Sequence, residues 1–205
     1  MRISIRGKVL LVGACLLAGS GGWAQQSQKP SARAAAVSTD LGVTLDLELS
    51  QAVPGSGFWF KGGGADAAVT FWKGWGVAAS LTGDTASSIA PGVDANKISF
   101  LGGPRYTYTA WRGRPGKADH RKLQLFGQGL FGGAHGFDGL YPAGSAAATS
   151  ANSFAVQAGG GLNLCLAKRL GVRLLEADYV HTALPNGAAN TQSDLRLAFG
   201  LTWHL

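Results

Sequence analysis

Charge is in short supply in this chain. Asp, Glu, Lys and Arg make up 14% of its 205 residues, where a soluble domain typically has about a quarter. That is too little to cover a water-exposed surface. Cysteine is scarcer still, with Cys15 and Cys165 the whole complement. Long apolar runs are missing after the N-terminal segment, so nothing further on could cross ~30 Å of hydrocarbon as a helix. Glycine is what abounds, with 32 residues, set among residues that alternate in polarity. Low charge and polarity that alternates without clustering form the weak, distributed signal of a chain that crosses a membrane with strands.

The N-terminus has the three parts of a secretory signal. Arg2, Arg6 and Lys8 are followed by an apolar stretch from Val9 to Gly19, and Gly22-Trp23-Ala24 offers the small residues that signal peptidase reads. Cleavage is expected after Ala24. Residues 1–24 are then the signal peptide, 25–39 a short flexible lead and 40–205 the folded domain. The apolar run is too short for an uncleaved anchor helix. Val12-Gly13-Ala14-Cys15 loosely resembles a lipoprotein processing box, which makes lipidation of Cys15 the alternative to cleavage, although the apolar core before it is short. Losing Arg2, Arg6 and Lys8 lowers the net charge from +7 to +4, which argues against nucleic acid as a partner. Cys165 then stands alone, so no internal disulfide is possible even in an oxidising compartment.

Strand periodicity organises the rest. The chain closes on Leu195-Arg-Leu-Ala-Phe-Gly-Leu-Thr-Trp-His-Leu205, with Leu195, Leu197, Phe199, Leu201, Trp203 and Leu205 on one face. The first strand alternates as cleanly, with Leu41, Val43, Leu45, Leu47 and Leu49 opposite Gly42, Thr44, Asp46, Glu48 and Ser50. Between these lie six more expected strands: about Phe58–Trp72, Val77–Leu81, Lys97–Ala110, Leu123–Gly133, Asn152–Leu166 and Val172–Thr182. Turns or loops are expected at Ala52–Gly57, Gly83–Asn96, 134–151 and Leu184–Gln192, and Pro104 within the fourth strand implies a bulge. The connections after the second, fourth and sixth strands are basic; the others are mostly longer and rich in Gly, Ala, Ser, Asn and Pro. Turns on one rim and loops on the other is the rhythm of an eight-stranded antiparallel up-and-down barrel.

Alternation does not say which face is outside, but composition does. The polar face is mostly Gly, Ala, Ser, Thr, Gln and Asn, with a few charges of both signs: Asp46, Glu48, Asp66, Glu176 and Asp178 against Arg105 and Arg196. Small residues and opposite charges suit a narrow lumen that side chains must fill. The apolar face carries Phe58, Phe71, Trp72, Tyr106, Tyr108, Trp111, Phe154, Tyr179 and Trp203 near strand ends, as interfacial girdles do. The expected fold is therefore an all-β, eight-stranded transmembrane barrel.

The eight-strand rhythm, Leu101-Gly102-Gly103-Pro104-Arg105-Tyr106, the Gly159-Gly160-Gly161 strand and the closing alternation together resemble the small bacterial outer-membrane barrel domains of the OmpA/OmpX type. The resemblance implies an integral outer-membrane location in a Gram-negative envelope. It also implies that Leu197, Phe199, Leu201, Trp203 and Leu205 form the C-terminal signal read by the barrel-insertion machinery, although the family usually ends on Phe. No further domain is expected beyond the barrel.

The charged lumen set is expected to form a static network, with Arg105 and Arg196 bridging acids of the first, second and seventh strands. A gate is the alternative. The function expected is that of a non-enzymatic, monomeric outer-membrane protein that presents loops and has no large pore. Its partners are outer-membrane lipids and the insertion machinery, and the basic turns could meet anionic headgroups. A soluble or lipid-tethered periplasmic barrel binding an apolar ligand is the alternative, and a lipid A-modifying enzyme a remoter one, since His135 and His181 have no serine beside them in sequence. No residue spacing calls for a metal or cofactor.

Overall fold

The computed structural model describes residues 37–53, 56–90, 93–113, 121–143, 146–185 and 190–205. The expected signal peptide, Cys15, most of the lead, Pro54-Gly55 and the centre of the basic 112–122 segment lie outside these. The strands are β1 (Ser38–Val53), β2 (Ser56–Trp72), β3 (Trp75–Ala90), β4 (Val93–Arg112), β5 (Lys122–Ala143), β6 (Ala146–Cys165), β7 (Leu170–Thr182) and β8 (Gln192–His204). Each pairs antiparallel with its successor, and β8 returns to pair with β1, closing an eight-stranded barrel. Closure satisfies every ladder and leaves no edge.

Burial is inverted relative to a soluble protein. In β1, Leu41, Val43, Leu45 and Leu47 are exposed on the outside while Thr44, Asp46, Glu48 and Ser50 are buried within. The same alternation places Phe199, Leu201 and Trp203 of β8 outside, with Arg196, Ala198 and Thr202 inside. An apolar outer band of this extent is stable against hydrocarbon and not against water. One rim carries Trp72, Trp75, Tyr106, Tyr108, Trp111 and Trp203 on its outer surface, a girdle suited to the headgroup level. Leu41 pairs with Trp203 of that rim, and Leu49 pairs with Trp59 and Leu195 toward the other. The span between them matches the ~9–11 residues that a tilted strand needs to cross hydrocarbon.

Four expectations need correction. The stretches assigned to turns or loops at Ala52–Gly57, Gly83–Asn96 and 134–151 are largely paired strand, with β3–β4 and β5–β6 running on as hairpins to Ala90/Val93 and Ala143/Ala146. Beyond the membrane a hairpin needs no apolar face, so its polarity does not alternate and its period is lost. The bulge expected at Pro104 is absent. β4 keeps one register with β3 from Trp75/Tyr106 to Ala86/Ala95, and its register with β5 is the same on both sides of Gly103-Pro104. Pro104 simply faces outward, and Gly103 lies so close to β5 that a Cβ there would collide with the Gly129 backbone; the irregularity falls at Thr109/Trp111. Phe58 is not part of the outer girdle. It packs with Phe60 on the lumen side (ring centroids 5.2 Å apart), and Trp59 takes the outward position. Finally, β1 starts before residue 40, since Ser38 and Thr39 already pair with Thr70 and Val69.

The turn between β2 and β3 has two residues with positive φ, Lys73 at 45° and Gly74 at 93°, the type I′ geometry that matches strand twist. Thr107 N–H also donates to Gly74 O at 2.8 Å, tying the turn to β4. Gly74→Ala is expected to destabilise the barrel by about 1–2 kcal/mol, read as a lower urea midpoint of the compact form on unheated gels, whereas Lys73→Gly should be neutral or stabilising.

Candidate functional site: a charged network in the lumen

Strand parity sends the charges inward, and the lumen divides into two sides. One wall, from β2 to β6, is lined by Ala68, Ala78, Leu101, Leu130, Ala134 and Ala155, which pack together. Beside it a ladder of ion pairs, drawn from β1, β2, β4, β7 and β8, runs along the barrel.

Its lower tier centres on Arg173. Nη1 donates to Asp66 Oδ1 at 2.7 Å and to Glu176 Oε2 at 2.6 Å, Nη2 to Asp66 Oδ2 at 3.0 Å, and Nε to Asn163 Oδ1 at 3.3 Å. Arg105 makes one longer contact with Asp66, 3.4 Å from Nη1 to Oδ2, and lies with its guanidinium 3.7 Å from the Phe126 ring centroid. The forked pairing with Asp66 is thus made by Arg173, and Arg105, expected to bridge acids, reaches Asp66 alone and is held as much by the aromatic face as by the carboxylate.

Arg196 forms the middle tier. It donates to Asp46 Oδ2 from Nη2 (3.0 Å) and Nε (3.2 Å) and to Asp178 Oδ2 from Nη1 (3.3 Å), with Glu176 Oε1 at 3.6 Å. It therefore joins β1 to β7 across β8. Gln128 Nε2 donates to Glu176 at 3.0 Å. Above, Lys97 pairs with Glu48, lies 3.9 Å from Asp194 Oδ2, and sits 5.0 Å from the Phe60 ring centroid. Lys97, Glu48 and Asp194 are at most 3% exposed. Asp46, Glu48, Asp66, Arg105, Glu176, Asp178 and Arg196 are all placed in the lumen; all but Glu48, which pairs with Lys97, are joined through shared partners.

Arg173, Lys97 and Asp194 were not among the expected residues. Lys97 and Asp194 were legible by parity, since each lies an even number of residues from an arginine taken as inward, Arg105 and Arg196. Arg173 was not. Its parity is opposite to that of Glu176 and Asp178, and it faces inward only because β7 slips register against both neighbours between Arg173 and Glu176. That bulge turns Leu174 and Leu175 both outward and brings Arg173 and Glu176 together inside.

The histidines separate. His135 in β5 hydrogen-bonds Asn152 (2.7 Å between Nδ1 and Oδ1). His181 Nδ1 lies 3.3 Å from Ser193 Oγ, so the fold does bring a serine to it, and the Tyr179 hydroxyl lies 2.7 Å from the same oxygen. His204 lies inside, at the girdle-bearing rim, with Nδ1 2.5 Å from Asp40 Oδ1. Leu197, Phe199, Leu201, Trp203 and Leu205 share the outer face of the closing strand.

No family model matches this chain, and no curated protein matches it by sequence. Among solved structures it is similar to Ail, the attachment invasion locus protein of Yersinia pestis, in complex with the heparin analogue sucrose octasulfate (16% identity, 82% of this chain and 97% of that one, TM-score 0.48). It is similar also to the N-terminal β-barrel domain of Pseudomonas aeruginosa OprF (12% identity, 81% and 97% covered, TM-score 0.42). Neisserial surface protein A superposes with a TM-score of 0.52 at 14% identity over 82% of this chain and 96% of that one, and at such identity what the two chains share is the eight-stranded barrel fold.

Proposed function

We propose that this chain is a non-enzymatic, monomeric outer-membrane protein whose closed barrel spans the bilayer, presents four connections on one side and conducts little. The observation that carries this reading is the inverted burial: an apolar outer band around a lumen filled by the Arg173, Arg196 and Lys97 ion pairs. The network's role is to fill and cross-brace the barrel. Each arginine ties strands that are not sequence neighbours, so strand register is held by charge complementarity as well as by the ladders. Export after cleavage at Ala24 and insertion guided by the closing strand complete the reading, with membrane lipids contacting the outer band.

Fractionation tests it. The protein should sediment with outer membranes and migrate faster on unheated than on heated detergent gels. Recovery in the soluble periplasmic fraction would sink the proposal and favour the ligand-binding alternative. Planar-bilayer recordings should show no large, long-lived conductance, because Leu130, Phe126 and the ion pairs occupy the lumen.

A further inference from the structure

At the girdle-bearing mouth of the lumen, three residues from three strands line up in sequence. Cys165, the last residue of β6, has its Sγ 2.9 Å from His204 Nε2, and His204 Nδ1 is 2.5 Å from Asp40 Oδ1. Gln124 Oε1 lies 3.1 Å from the same sulfur. Asp40 accepts the Nδ1 proton, which fixes the ring with Nε2 facing the sulfur. Nucleophile, base and orienting carboxylate stand in the order that activated nucleophiles require. A second feature points into the same spot. The Thr202 hydroxyl, 1% exposed, has no hydrogen-bond partner. A Cβ built on Gly171 would come 2.6 Å from Thr202 Oγ1 and 3.2 Å from His204 Nε2, so hydroxyl and imidazole converge on the bare glycine.

We propose that Cys165, His204 and Asp40 form a reactive thiol centre whose reaction partner is a small anionic disulfide entering at this mouth. Cys165 has no exposed surface, and approach is from the His204 and Asp40 side, where 8% and 9% exposure remain. Lys122 pairs with Cys165 across the β5–β6 ladder, and Lys168 and Arg169 are exposed in the following turn, so the mouth favours an anion. In the exchange, His204 Nε2 takes the thiol proton and the Cys165 sulfur attacks one sulfur of the disulfide. A new S–S bond forms as the old one breaks. The leaving thiolate takes the proton from His204 and departs as a thiol, so Cys165 is oxidised by the disulfide, which is reduced. The supply of such disulfides rests on the proposed location in an oxidising envelope compartment; the chemistry of the site does not.

The test uses the full mature barrel in detergent micelles and 5,5′-dithiobis(2-nitrobenzoate) at about pH 6, where an ordinary thiol of pKa ~8.5 is almost wholly protonated. Folded protein should release the coloured thiol at least ~10-fold faster than the urea-unfolded chain. His204→Asn should abolish that excess, Asp40→Asn should reduce it, and Cys165→Ser should be silent. A folded barrel that reacts no faster than the unfolded chain overturns the proposal, as does a His204→Asn variant that keeps its gel shift and reacts like the parent. If His204→Asn does not fold, Asp40→Asn decides: an unchanged rate overturns the assignment. These rates are read in micelles, so their failure leaves the membrane reading standing, and misplaced fractionation leaves the thiol chemistry standing.

Discussion

Arg173→Ala should destabilise the folded barrel by about 3–5 kcal/mol, the range for removing one partner of a buried ion pair. The size of the effect follows from what is left behind. Asp66 loses two hydrogen bonds (2.7 and 3.0 Å), Glu176 loses one of 2.6 Å, and Asn163 loses the Nε donor. Arg105 cannot replace it, being 3.4 Å from Asp66 and seated on Phe126. Arg173→Lys should recover only part of the loss, since an ammonium cannot fork across a carboxylate. Neutralising the stranded acids as well, in Arg173→Ala/Asp66→Asn/Glu176→Gln, should return part of the stability, because the cost lies mainly in uncompensated charge. Urea titration of the barrel in lipid vesicles, scored by gel shift, measures each step. An Arg173→Ala variant within about 0.5 kcal/mol of the parent would mean that the lower tier braces nothing.

Leu45→Arg should cost about 2–4 kcal/mol, and Leu41→Arg only about 0–1 kcal/mol, because the penalty for a cation on the lipid face depends on depth. Leu45 lies midway between the rim marked by Trp203, opposite Leu41, and the level of Trp59, opposite Leu49. It is 61% exposed on the barrel's outside. Were that outside water, an exposed leucine replaced by arginine would change stability by about 0.5 kcal/mol or less, and the two positions would not differ. The gradient between them thus separates a membrane barrel from a soluble one with the same topology.

The fold was legible because lipid on one side and a packed lumen on the other impose a strict period of two, which the leucines of β1 and the closing Leu195–Leu205 stretch display openly. Strand order and closure followed from eight such segments with alternating connections. Legibility ended where that physical cause ended. Past the hydrocarbon, the hairpins of β3–β4 and β5–β6 no longer alternate, and they read as loops. Within β7 a single bulge reverses parity, so that Arg173, the best-bonded cation of the lumen, carries an outward sequence signature. Phe58 and Trp59 show a different limit: adjacent aromatics must face opposite ways, and only pairing partners say which goes in. The association of Cys165 with His204 and Asp40 joins β6, β8 and β1 across the barrel, and no local pattern encodes it.

The central claim, lipid outside and a packed polar lumen inside, is tested most directly by nitroxide scanning of positions 41–49 in a Cys165→Ser background, with the barrel reconstituted in bilayers. Labels at Val43, Leu45 and Leu47 should be accessible to oxygen dissolved in the hydrocarbon and protected from a polar nickel reagent. Labels at Thr44 and Asp46 should be immobilised and protected from both. If instead the odd positions are shielded from oxygen and collide with the polar reagent, the outer band faces water and the account is wrong.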